Sequence, residues 1–156
     1  MFPNIVERLR GTPVRIGELV SGLSEELLTR QVSERWSIQE EIGHLWDLEE
    51  LWAGRLADIL NGANTMRNAD LENRKTHEAE HNTRSMLQVA AGFRSERIEI
   101  AKQLDTLDTS DVLKSAQHPR LKKPMRVIDL AFFVAEHDDH HLAQVSRLTR
   151  TTRTAT

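Results

Sequence analysis

The sequence predicts an all-α protein, a four-helix bundle, on three observations. Apolar residues recur at helical rather than alternating spacing through most of the chain. Glycine and proline are sparse, seven and four in 156 residues. The amphipathic stretches are of bundle length and are joined by short breaks and two longer polar links. Val and Ile do not alternate with polar residues over a useful length, so no sheet is expected. The length suits one domain with its own core, expected over residues 1–150, with 151–156 ("TTRTAT") a frayed polar tail.

The first helical stretch covers about Asn4 to Val20, with Ile5, Leu9, Ile16, Leu19 and Leu23 near one face. "GTP" at Gly11 to Pro13 interrupts it. Either Pro13 kinks one helix, or Thr12 caps a new one with Pro13 in its first turn. A short "SEELL" turn follows at Ser24 to Leu28. The second helix has a defined start. "WSIQE" puts Ser37 at the N-cap and Glu40 three residues on, a capping box. It extends to about Leu60 and stops at Asn61 and Gly62. Residues 63–80 read as a long polar connection with some helix at most. The third helix spans about Asn82 to Leu104, where Met86, Ala90, Phe93, Ile100 and Leu104 share a face. "LDTSDVLKSAQHPRLKKP" is a second connection, and the fourth helix begins after Pro124 and reaches about Thr149.

Composition narrows the function. Charged residues make up 29% and the net charge is −3, without the basic excess of a nucleic-acid partner. No cysteine is present, which excludes disulfides, thiolate zinc sites and cysteine nucleophiles. A transition metal would have to be held by His, Asp or Glu. "MFPNIVERLR" has no apolar core after a basic start, so no secretory signal is expected. "VIDLAFFVA", broken by Asp129, falls well short of the roughly 20 residues of a membrane span. No membrane partner and a cytoplasmic location are the expectation.

The chemistry concentrates in "AEHDDHHLAQV", residues 135–145. With about 100° per residue and His137 as origin, Leu130, His141, Val134, Val127 and Val145 fall within about 80° on one side. His137 and His141 therefore lie in the apolar stripe, His140 at its margin, and Asp139 opposite. Residues four apart on a helix sit one above the other, so two imidazoles there can share an ion. On the second helix, His44 stands at the edge of the core-facing arc and Glu41 inside it. A lone inward His is usually a hydrogen-bonded core residue. Two at i and i+4 with a third on another helix favour a shared metal, since burying three unpaired imidazoles is costly. "THEAEH" also places His77 and His81 four apart, but their helical neighbours are polar, so a solvated face is expected. His118, before Pro119 in a basic loop, is expected to be exposed. Arg97, among Met86, Ala90, Phe93 and Leu104, needs an acceptor: a substrate carboxylate or an ion pair inside the bundle.

"RWSIQEEIGHLWDLEELW" resembles the W-S-x-x-E-x-x-x-H-L segment of DinB-like, YfiT-like proteins, and "EHDDHHLAQV" resembles their last-helix E-H-x-x-H-H-x-x-Q signature. The resemblance covers nearly the whole chain. It implies an up-down-down-up four-helix bundle and one divalent transition metal, often zinc or nickel, on His44, His137 and His141. It also implies a homodimer. Some relatives are metal-dependent transferases or isomerases that use a low-molecular-weight thiol. One departure is that "KKPMRV" lacks the Ser or Thr that often caps the last helix.

Three imidazoles leave coordination positions open, the pattern of catalytic rather than structural zinc. The ion would keep its full charge and activate a water or thiol. Zinc, nickel, copper and iron all suit such a donor set. Glu41 and Asp138 are the acids placed to accept hydrogen bonds near it or to form peripheral ion pairs, and Gln144 is either near the site or a boundary residue. Trp36, Trp46 and Trp52 read as packing residues, with Trp46 turned away from His44 toward an outer surface that could be a subunit interface. The expected function is a metal-dependent enzyme on a small-molecule substrate, a thiol-dependent S-transferase or a hydrolase. The alternative is a non-enzymatic metal-stabilised binding module. A di-iron carboxylate bundle ranks last, because paired E-x-x-H motifs are missing.

Overall fold

The computed structural model describes residues 1–153. Helix α1, Phe2–Val20, passes unbroken through Pro13. Thr12 caps nothing; its hydroxyl lies 3.3 Å from Arg8 O inside the helix. A short α2, Glu25–Thr29, is capped by Ser24. Helix α3, Ile38–Leu60, begins at the expected capping box: Ser37 N–H donates to Glu40 Oε2 at 2.8 Å and Glu40 N–H to Ser37 Oγ at 3.1 Å. It ends at Asn61, and Gly62 takes up φ 76° beyond it.

The following link carries α4, Arg74–Glu78, and a 3-10 turn, His81–Thr83. Helix α5, Met86–Asp105, starts four residues later than its periodicity suggests, because Ser85 and Gln88 form a second capping box. Then come α6, Thr109–Leu113, and a small antiparallel hairpin of β1, Ser115–Gln117, and β2, Pro124–Arg126. The hairpin is an addition to the all-helical expectation. Helix α7, Val127–Arg153, follows directly. In place of the missing Ser or Thr cap, Asp129 reaches back and accepts from Arg126 N–H at 3.0 Å. Of the expected polar tail, residues 151–153 continue α7, and 154–156 lie outside the described residues.

Side-chain pairs fix the directions of the long helices. Arg8 meets Glu136 and Arg15 meets Asp139, so α1 and α7 are parallel. Glu41 meets His141 while Trp52 meets Phe133, so α3 and α7 are antiparallel. Trp46 meets Glu96 and Glu49 meets Arg97, so α3 and α5 run the same way. The result is an up-down-down-up bundle in which α1 and α3 each pack on both α5 and α7.

The core is in two parts. One gathers Ile5, Leu9, Trp52, Leu56, Leu104 and Leu130, the other Ile16, Ile42, Leu45, Phe93, Leu142 and Val145. Buried polar side chains supplied by all four long helices lie between them in sequence: Thr12, Glu49, Arg97 and Asp138. Arg97 is 0% exposed. It donates from Nε and Nη2 to Glu49 at 2.9 and 2.6 Å and from Nη1 and Nη2 to Asp138, which also accepts from Thr12 Oγ1 at 2.7 Å. Burial first, with Asp138 adding to it, pushes the Glu49 carboxyl up to about 7, while the two carboxylates hold Arg97 protonated.

Candidate metal centre

Beside this polar layer, α3 and α7 converge their histidines. The Ser37 capping box sets the phase of α3 and turns His44 inward, and α7 stacks His137 and His141 a turn apart. One nitrogen of each lies within 4.8 Å of the others. His137 Nε2 and His141 Nε2 face each other at 3.2 Å. The His44 ring is centred 5.5 Å from His137 and 4.7 Å from His141.

The outer nitrogens decide what the inner ones can do. His141 Nδ1 donates to Glu41 Oε2 at 2.6 Å, and His44 Nδ1 lies 3.1 Å from Thr76 Oγ1. A ring that donates through Nδ1 keeps a bare lone pair on Nε2. His137 Nδ1 is buried without a partner. Burial, reinforced by His141, holds His44 down to about 4 and His137 down to about 3. Both rings are thus neutral near pH 7, the form that ligates. Two nitrogens on a tetrahedral zinc with bonds near 2.0–2.1 Å stand about 3.3 Å apart, close to the His137–His141 separation. The donor set fits a divalent transition ion.

The site opens on two sides. His44 and His137 line one cavity with Leu48, Trp52, Arg55 and His118. His141 lines another with Trp36, Glu41, His77, His140 and Gln144. Trp36 packs 4.7 Å from the His44 ring and Trp52 5.6 Å from His137, so both shield the cluster.

Several expected placements change. Asp138 is neither peripheral nor bonded to a histidine; it is buried on Arg97. Arg97 is saturated by its two carboxylates and closed to solvent, so the geometry gives no support to a substrate-carboxylate role. His77 and His81 do not share a helix face. His77 is exposed near Trp36, whereas His81 is only 1% exposed and 2.8 Å from Asp47. Gly43 makes that possible, since a Cβ there would overlap the His81 ring. Trp46 is half-buried on the α5 side of α3, away from His44: it donates to Glu96 at 2.8 Å, packs over Gly92 and lines a surface cavity. His118 is buried, at 6% exposure, because the β1–β2 hairpin folds around it. Sequence reasoning missed Thr76 and the Arg55–His118 pair. Arg55 did fall on the inward arc of α3, and a charge there without an obvious partner was the available signal.

A family model described as the DinB superfamily matches residues 8–145. Among solved structures, YfiT from Bacillus subtilis, described as a probable metal-dependent hydrolase with an unusual four-helix bundle topology, superposes with a TM-score of 0.84 at 17% identity, covering 97% of this chain and 87% of its own. An uncharacterized protein from Clostridium difficile gives 0.73 at 11%, covering 94% of each chain. A protein from Streptococcus pneumoniae gives 0.69 at 12%, covering 98% and 90%. No curated protein sequence matches. Among the described residues, no helix is long and apolar enough to cross a membrane.

Proposed function

The chain belongs to the DinB superfamily, and from that premise we propose that it is a metal-dependent enzyme acting on a small molecule, with one divalent ion, zinc or nickel, held by His44, His137 and His141. The observation that carries the reading is the trio of inward-facing imidazoles set beside open cavities. The description of YfiT as a probable metal-dependent hydrolase agrees with it.

Bound there, the ion would supply Lewis-acid activation of a nucleophile, either water in a hydrolase or a low-molecular-weight thiol in an S-transferase. Glu41 holds the His141 proton on Nδ1 and so turns the Nε2 lone pair inward. Thr76 Oγ1, 3.1 Å from His44 Nδ1, would do the same for His44 by accepting its Nδ1–H. Trp36 and Trp52 keep bulk water off the flanks, and Gln144 lines the mouth beside His141. A non-enzymatic module would be served by a closed site, and the two openings favour access. The homodimer and cytoplasmic location belong to the same proposal.

The test is turnover. The protein is stripped with a chelator, then given zinc or nickel and assayed on a panel of esters and amides, with and without small thiols. Metal-restored hydrolysis supports the hydrolase, and thiol-dependent consumption of an electrophile supports the transferase. No metal-dependent turnover on either panel contradicts the proposal.

A further inference from the structure

The cavity that opens onto His44 and His137 ends at a second cluster, around Arg55 of α3. Arg55 is 3% exposed, yet no carboxylate lies within ion-pair distance of it among the described residues. Asp58, the acid that acts on it electrostatically, is committed to Arg67, which it binds through both oxygens at 2.8 and 3.0 Å. Arg55 Nε donates to Arg67 O at 3.2 Å. Its Nη1 points at His118 Nε2, 3.4 Å away.

That last contact cannot be an ordinary hydrogen bond. His118 Nδ1 accepts two backbone N–H groups, from Arg120 at 3.3 Å and Leu121 at 3.1 Å. An imidazole that accepts through Nδ1 carries its proton on Nε2. Arg55 Nη1–H and His118 Nε2–H are therefore two donors that converge with no acceptor between them. A buried, unpaired guanidinium beside a second orphan donor is costly unless something anionic completes it. Arg120 lines the same cavity and adds positive charge. The one acid lining it, Asp70, has its oxygens on the backbone N–H groups of Glu72 and Arg74, at 3.1 and 2.6 Å.

The geometry points to an oxyanion subsite formed by Arg55 and His118, which takes the carboxylate or phosphoryl group of a small substrate whose other end reaches the histidine cluster. Trp52 joins the two ends of the cavity. Its ring is centred 5.8 Å from Arg55 Cζ and 5.6 Å from the His137 ring. Leu48, Leu51 and Phe133 also line this cavity, and an apolar spacer against them would connect anion to reacting centre. The link to substrate rests on the function proposed above, whereas the oxyanion subsite rests on Arg55 and His118 alone.

The experiment titrates the full chain with inorganic phosphate and, separately, acetate, while the His118 imidazole signals are followed by NMR and assigned with His118→Gln. The expected result is a saturable shift of the Nε2–H signal, weakened roughly tenfold or more in Arg55→Gln, partly kept in Arg55→Lys, and kept in His44→Ala, which leaves the subsite intact. Saturation by acetate alone identifies a carboxylate subsite, by phosphate alone a phosphoryl one. A shift that does not saturate in the unmodified protein, or one unchanged in both Arg55 variants, overturns the inference. Because the titration needs no metal and no turnover, its failure is separable from failure of the enzyme proposal.

Discussion

Replacing Arg97 by methionine tests the polar layer. The change keeps most of the volume but removes the guanidinium that serves both Glu49 and Asp138. Two carboxylates are left buried with no cation between them. Removing one partner of a buried ion pair costs about 3–5 kcal/mol. Here the cost is limited, because burial has already pushed Glu49 up to about 7, so one carboxyl can take up a proton. A loss near the lower end, about 3 kcal/mol at pH 7, is expected. For a domain of this size that corresponds to a fall in Tm of roughly 6–12 °C. Urea denaturation followed by far-UV circular dichroism measures it as a drop in midpoint at unchanged slope. Replacing all three side chains by apolar residues of similar size should recover much of the loss, since no charge then remains buried. A loss below about 1 kcal/mol in Arg97→Met would refute the reasoning.

Other expectations follow from the same geometry. Glu41→Gln keeps the shape but no longer anchors the His141 Nδ1 proton with a charge, so metal affinity should fall roughly 10–100-fold; calorimetric zinc titration with unchanged affinity would contradict this. The metal-free protein should lose stability in acid. His44 and His137 are held down to about 4 and about 3 in the fold, so the unfolded chain binds more protons below its ordinary histidine value near 6.5. The contribution of these rings is full above that value and falls as pH drops toward 4, by up to about 1.4 kcal/mol per pH unit for each ring, while the raised Glu49 carboxyl offsets part of the loss below pH 7; a denaturation midpoint that does not fall at all between pH 7 and 4.5 would contradict the assigned neutral forms. Gly43→Ala should force His81 off α3 and cost about 1–3 kcal/mol, and a neutral effect on urea stability would show that the close packing is not real.

The four long helices were legible because each carries its own periodicity and α3 announces its start in five residues, Trp36 to Glu40. The Ser85–Gln88 box is equally local, but periodicity alone extends α5 back to about Asn82, four residues before its start. His137 and His141 could be paired from helical phase alone, since both ligands lie on one element. His44 needed its own arc and the resemblance together. What could not be read was anything set by the links. His81 is buried because a 3-10 turn lays it against Gly43, and His118 because a hairpin wraps it. Neither conformation leaves a periodic trace in sequence. Arg97 showed its need for an acceptor, but its two carboxylates come from α3 and α7, one 48 residues earlier and one 41 later, and only the fold brings them together.

The central claim is that His44, His137 and His141 form one metal site, and metal content measures it most directly. The purified protein, loaded with zinc or nickel and desalted, should carry about one ion per chain by elemental analysis, and His44→Ala and His137→Ala should each abolish it while leaving the helical spectrum intact. Full retention of metal by both variants, or no binding by the unmodified protein, would contradict the account.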